Sequence, residues 1–179
     1  MIDWTLEYII SQILIVIVYA CISSTYHMKN RNKILIVNVI AHLIHAVSFL
    51  LLNGLTGVAM SLVYAGRDSF FAIDEKNRKS KVLTKRDYII LTIIVTIIII
   101  LTIFTYNGLG SLLSVMATLI STVAIWQKDP KYYKFLGIPI SLCWLGYDIY
   151  LKAIFAIILE LILLVSVIIG CIKEIKVKK

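Results

Sequence analysis

Catalytic signatures are missing from this 179-residue chain. It has no nucleophile–base pair, no glycine-rich phosphate loop and no cluster at metal-ligand spacing. Two of the three histidines, His42 and His45, stand three apart, but no glutamate completes an HExxH arrangement. Cysteine is scarce. Cys21, Cys143 and Cys171 form no CxxC, and Cys21 and Cys171 fall on the side expected to be reducing. They read as small packing residues rather than a disulfide framework. The expectation is a protein that is not an enzyme and has no cofactor or metal.

Charge is missing from most of the chain as well. Hydrophobic residues make up 60% of it and mean hydropathy is +0.94, far above a soluble domain. No water-soluble fold of this length buries so much apolar surface. A bilayer core takes roughly 20 apolar residues per helix. Seven such stretches are present, at 6–25, 34–52, 55–73, 88–106, 109–126, 134–150 and 153–172. The expected fold class is therefore an all-α integral membrane protein with seven transmembrane helices and one membrane domain. The third and sixth stretches are the least clean, because each carries polar or charged residues. The first lacks a basic leader and a small-x-small cleavage site, and Asp3 and Glu7 lead it, so it is expected to remain as a membrane anchor.

Basic residues are missing from alternate gaps. The second and fourth gaps, at Asn53-Gly54 and Asn107-Gly108, hold none. The first holds Lys29, Arg31 and Lys33. The third holds Lys76, Arg78, Lys79, Lys81, Lys85 and Arg86. The fifth holds Lys128, Lys131 and Lys134, and the tail holds Lys173, Lys176, Lys178 and Lys179. The net charge of +8 is thus a topology signal and not a nucleic-acid footprint. The positive-inside rule places the N-terminus outside and the C-terminus in the cytoplasm. Some attraction to anionic inner-leaflet lipid follows. The charged stretch 74–87, with NRKSK at its centre, reads as a solvated cytoplasmic linker.

Seven helices also fit a duplicated three-helix unit. Three helices reverse the side of the chain, and one linker helix restores it, giving two parallel repeats in a 3+1+3 layout. The units would be 1–73 and 107–179, with 74–106 as linker and linker helix. The fourth helix, YIILTIIVTIIIILTIFTY, carries no charge and reads as lipid-facing. Identity between the halves is weak; a shift of 96 brings Leu55 onto Leu151 and little else.

Polar residues inside the other helices fall on single faces at helical spacing. They are Tyr8, Gln12, Tyr19 and Ser23 on the first, and Asn38, His42, His45 and Ser48 on the second. The third has Ser61, Tyr64, Arg67 and Asp68, and the fifth Ser114, Thr118, Ser121 and Thr122. The sixth offers Ser141, Trp144, Tyr147 and Asp148, and the seventh Glu160. Singly, such Ser and Thr residues serve as interhelical glue; together the stripes point to a central polar pathway. By the helical rise, Glu160 and His45 lie about 10 Å below the outer face, and His42, Tyr64 and Arg67 about 14–18 Å down. An unpaired charge there costs at least about 2.5–3.5 kcal/mol. Glu160 is expected to pair with Arg67 or a histidine, or to be protonated. Asp148 is expected to be solvated near the outer interface, and Lys152 to snorkel outward. Trp144 and Tyr147 admit two readings, an interfacial aromatic belt or a stacking surface for a planar or sugar-like ligand. Pro139, flanked by Gly137 and Gly146, permits a kink in the sixth helix. Gly54, Gly57 and Gly66 allow close packing within or between subunits, so a homo-oligomer stays open.

The stretch SVMATLISTVAIWQKDPKYYKFLGIPISLCWLGYDIY with AIILELILL resembles the YgjV family of bacterial inner-membrane proteins, as does SFLLLNGLTGVAMSLVYAGR. Thr118, Ser121 and Thr122 match a T-x-x-S-T run, and Arg67, Trp144 and Glu160 match residues of that family's third, sixth and seventh helices. Tyr147 and Asp148 depart from an expected His-Asn pair. The family is grouped by likeness with SWEET sugar transporters, PQ-loop proteins, nicotinamide riboside carriers and the KDEL receptor, whose shared fold is the 3+1+3 layout. The Pro-Gln dipeptide of the PQ-loop branch is absent, since proline occurs only at 130 and 139. The aligned stripes and the buried ionisable residues point to a transporter of a small polar solute, sugar- or nucleoside-like, facilitative or proton-coupled, and the resemblance implies the bacterial inner membrane. The rival reading is a non-transporting binding or regulatory membrane protein. The expected solute site is His42, His45, Tyr64, Arg67, Trp144, Tyr147 and Glu160.

Overall fold

A computed structural model describes residues 5–77, 83–127 and 129–176. Asp3, most of the NRKSK motif (Arg78, Lys79 and Lys81), Lys128, Lys178 and Lys179 lie outside the described residues. Every element among the described residues is an α-helix: α1 (Leu6–Thr25), α2 (Arg31–Leu51), α3 (Leu55–Asn77), α4 (Lys85–Thr105), α5 (Leu109–Trp126), α6 (Pro130–Tyr150) and α7 (Ile154–Lys176). Five of them, α1, α2, α4, α5 and α7, are long and apolar enough to cross a membrane. The other two are α3 and α6, the pair that carries Arg67, Asp68 and Asp74 or Lys131, Lys134 and Asp148 along its length.

Side-chain chemistry sets the helix starts. Thr5, Asn30 and Asp129 accept from backbone N–H groups of the first turns of α1, α2 and α6. Thr84 and Asp87 form a reciprocal capping box on α4. Leaving one peptide N–H out of the ladder at Pro139 does not end α6, which is continuous from Pro130 to Tyr150.

The helices pack in a ring: α1 on α2, α2 on α3, α3 on α5, α5 on α6, α6 on α7, and α7 back on α1. α4 packs outside this ring, against α3 and α5. Within α4 only Asp87 and Ile98 are buried, and isoleucines at 89, 93, 97, 99, 100 and 103 are exposed. The apolar, lipid-facing character expected of the fourth helix follows from this position.

Two hairpins of the ring are built alike. α2 and α6 each have 21 residues, and α3 and α7 each have 23. Both hairpins turn through a left-handed residue, Asn53 at φ 55° and Lys152 at φ 56°. The closing bonds are the same, with Gly54 N–H donating to Phe49 O at 2.9 Å and Ala153 N–H to Asp148 O at 3.0 Å. This is the 6→1 bond of a Schellman turn. The turns thus set Asn53 opposite Lys152, and the alignment of Leu55 with Leu151 is not the structural register. The two hairpins share this backbone geometry although their side chains differ.

The end of the bundle that holds the basic gaps is tied by those same residues. Arg31 donates to Ile125 O at 2.8 Å, and Lys134 to Glu174 Oε2 at 2.7 Å. At the opposite end Tyr150 donates to Asn107 O at 2.8 Å, fixing the end of α6 to the turn before α5.

Candidate functional site

The six ring helices enclose a cavity whose wall is mostly aromatic and aliphatic carbon with polar groups set into it, and α4 contributes nothing to it. Its middle is lined by His42 and His45 from α2, Tyr64 from α3, Ser121 from α5, Ser141 and Trp144 from α6, and Glu160 from α7. Tyr19 of α1 completes the wall. These side chains meet because each stripe faces the ring axis while the opposite helix faces carry Ile, Leu and Val. The equal hairpins place His45 and Trp144 at corresponding positions, and their rings lie 5.9 Å apart.

Aromatic layers close both ends. Tyr26 stacks on Tyr133 at 4.9 Å and 13° on the side of the basic gaps. The Tyr133 hydroxyl lies 3.0 Å from that of Thr25 and donates to Asn38 Oδ1 at 3.4 Å. Tyr26 is seated by glycine: a Cβ on Gly137 would meet its ring at 2.5 Å. At the other end Phe49 stacks between His45, at 4.2 Å, and Trp144, at 5.8 Å. Tyr147 stands edge-on to Phe49 and Trp144 and accepts the Gly57 N–H at 3.1 Å. Phe49 lies over Gly57, where a Cβ would meet the ring at 2.7 Å. Between the layers the space open to water centres is about 40 Å³. That admits a few waters, against roughly 300–1,000 Å³ for drug-sized ligand sites.

Several polar atoms in and around this space have no hydrogen-bond partner among the described residues: His45 Nε2, Ser61 Oγ and Glu160 Oε1. The Tyr19 and Ser141 hydroxyls lie alongside the Glu160 carboxyl. His42 stacks on Tyr64 at 4.4 Å and comes within 3.9 Å of Asp68.

The structure brings five of the seven predicted residues, His42, His45, Tyr64, Trp144 and Glu160, into the cavity wall. Arg67 stands behind it. Its guanidinium lies over the Tyr64 ring at 4.6 Å, and Nη1 donates to Ser121 and Thr122, each at 3.1 Å. Its ion-pair partner is Asp68, with Nε donating to Oδ1 at 2.6 Å, and not Glu160 or a histidine. The neighbouring carboxylate on the same helix reaches the guanidinium first. Tyr147 is also outside the wall, as the cap beyond Phe49. It is buried, and Trp144 lines the cavity, so neither forms part of an exposed aromatic belt. Asp148 is not solvated: it is 1% exposed and accepts from Tyr19 at 3.1 Å, because the Lys152 turn folds α7 over it.

Part of the stripe pattern is glue. Thr118 and Thr122 bond back to carbonyls of α5 itself, Ser48 donates to Ser11 O, and Ser23 joins Ser166 across α1 and α7. Of the small residues, Gly66 has nothing within 4 Å of the point where a Cβ would stand, and it packs no helix within this chain. Tyr26, Phe49 and Tyr133 escape the sequence reading. Phe49 and Tyr26 look like ordinary apolar residues there, and only the glycines opposite them mark their seats.

The profile of a family described as bacterial inner membrane protein, Imp-YgjV, matches residues 9–178. No curated protein and no solved structure among those compared matches the chain.

Proposed function

The chain belongs to the Imp-YgjV family of bacterial inner membrane proteins, and on that premise we propose that it carries a small polar solute, sugar- or nucleoside-like, across that membrane. In this reading all seven helices cross the bilayer, with the N-terminus outside and the basic end in the cytoplasm. The two alike hairpins, with α1 and α5, form two parallel three-helix units, and α4 is the linker. This SWEET-like layout is supported by the matching turns at Asn53 and Lys152 and by the position of α4 outside the ring.

The observation that carries the proposal is the central cavity, walled by all six ring helices and edged by polar atoms of His45 and Glu160 that have no partner among the described residues. Ionisable groups inside a membrane are costly, so those that persist mark internal pairs, pathways or ligand sites. Trp144 stacks on the solute, His42 and His45 hydrogen-bond it, and Glu160 meets its hydroxyls or charge. Arg67 acts through Tyr64, and Tyr147 through Phe49. The aromatic layers at either end act as gates, both of them shut in this conformation.

The test is thermal stability of the purified protein against sugars, nucleosides and vitamins at two pH values. A ligand held only by the folded state raises the melting temperature by mass action. A stabilising ligand whose effect is lost in Glu160→Gln and Trp144→Ala supports the site, and its uptake into proteoliposomes supports transport. A second reading, a binding or regulatory membrane protein, is favoured by the small cavity; stoichiometric binding without flux selects it.

A further inference from the structure

Two carboxyls lie near each other in the half of the bundle away from the basic gaps. Glu160 on α7 is 2% exposed and Asp148 on α6 is 1% exposed. Neither has a Lys, Arg or His ion-pair partner among the described residues. Each keeps one oxygen, Asp148 Oδ1 and Glu160 Oε1, without a hydrogen-bond partner among the described residues. The Tyr19 hydroxyl stands between them, donating to Asp148 Oδ2 at 3.1 Å and lying alongside Glu160.

The surroundings offer no compensating cation. α1 presents Tyr19 and Tyr26, and α2 presents His45, whose ring centroid is 6.3 Å from that of Tyr19. α6 adds Ser141 and Tyr147, α5 has no titratable residue, and Lys152 in the turn after α6 is exposed. Arg67 is engaged with Asp68, and His42 lies beside that pair. Two unpaired carboxylates in one buried network repel each other and are each costly in hydrocarbon. A shared proton removes most of that cost.

We propose that the proton is the coupling ion of this site, relayed between the outer end of the bundle and the cavity by Asp148, Tyr19 and Glu160. The proposal rests on the carrier reading above. In the inward step the Tyr19 hydroxyl turns from Asp148 Oδ2 toward Glu160 and a protonated Asp148 donates to the Tyr19 oxygen; the Asp148 proton then passes to that oxygen while the Tyr19 O–H proton passes to the Glu160 carboxylate. Asp148 is left as carboxylate, Glu160 becomes the acid, and Tyr19 stays neutral. Asp148 is refilled from the side of Tyr147, which also lines a polar recess at the outer end with Asn53, Thr56 and Asn107. Glu160 faces the solute, so its protonation changes what the cavity accepts.

Infrared pH titration of the protein in liposomes, read on the carbonyl stretch of protonated carboxylic acids, tests the relay without any solute. Wild type is expected to show acid bands from both groups, one lost in Asp148→Asn and the other in Glu160→Gln. Each of these variants, and Tyr19→Phe, is expected to move the remaining titration by about one pH unit, as for coupled sites. Gel filtration confirms that the near-isosteric variants are folded. Bands that titrate independently and ignore Tyr19→Phe overturn the relay and leave the carrier reading standing. A coupled titration with no solute bound or carried overturns the carrier reading and the coupling role with it, and leaves only the proton relay standing.

Discussion

Replacing Arg67 by Met while Asp68 stays in place is expected to destabilise the bundle severely, and replacing both is not. The pair is fully buried, with side-chain exposures of 1% and 0%. Removing the guanidinium takes away the 2.6 Å bond to Asp68, the two bonds to Ser121 and Thr122, and the contact over Tyr64. It leaves a carboxylate whose nearest remaining base is His42 at 3.9 Å. Breaking a buried pair in this way costs about 3–5 kcal/mol, or roughly two to three and a half orders of magnitude in the unfolding constant. In Arg67→Met with Asp68→Asn the orphaned charge is gone. What remains lost is the pair of interhelical bonds, at about 0.6 kcal/mol each. The double variant should therefore be the more stable by about 2–4 kcal/mol. Reversible unfolding by SDS in mixed micelles, followed by circular dichroism, measures all four corners of the cycle. A single variant as stable as the double would refute the reasoning, since Asp68 would then not depend on Arg67.

The glycines give a matched pair of expectations. Gly57→Val drives its Cβ into the Phe49 ring, itself held between His45 and Trp144, and should cost about 1–3 kcal/mol by the same unfolding assay. Gly66→Ala adds a Cβ with nothing within 4 Å of it and removes glycine's helix penalty, so it should stabilise by up to about 1 kcal/mol. Lys152→Gly should stabilise by about 1 kcal/mol, because Lys152 holds φ 56° against its Cβ and Gly does not. The Lys134–Glu174 pair is partly exposed on the Glu174 side, so Glu174→Gln should cost about 1 kcal/mol or less, and less still in high salt.

Helix number, order and most boundaries were legible because hydrocarbon demands long apolar runs, and such runs are visible in one dimension. The polar stripes were legible for the same reason, since His42, His45, Tyr64 and Glu160 have nowhere to point except inward. Partner choice was not. Glu160 was expected to pair with Arg67 or a histidine, or to be protonated, but Arg67 engages Asp68, a carboxylate one residue away on the same helix, which costs the chain less to reach. Asp148 was expected in water because it lies near a helix end. A turn is needed to know what folds over that end, and the left-handed residue there is a lysine, which gives no sequence signal. The aromatic seats were hidden for a related reason: a ring resting on a glycine of another helix leaves no spacing within either helix to detect. The likeness of the two hairpins was hidden likewise, because it lies in φ angles and closing bonds and their side chains differ.

The closed aromatic layers bear on how any ligand of the central space would be measured. A site that fits only a few waters must first redistribute its population toward an open form. An observed dissociation constant is then the intrinsic one divided by the open fraction. An open form populated at about one part in a hundred weakens apparent binding about a hundredfold. Loosening the seat of Tyr26 or Phe49 would strengthen apparent binding without adding a single contact to the ligand. Gains of affinity from substitutions far from the solute are therefore the signature to expect of this architecture.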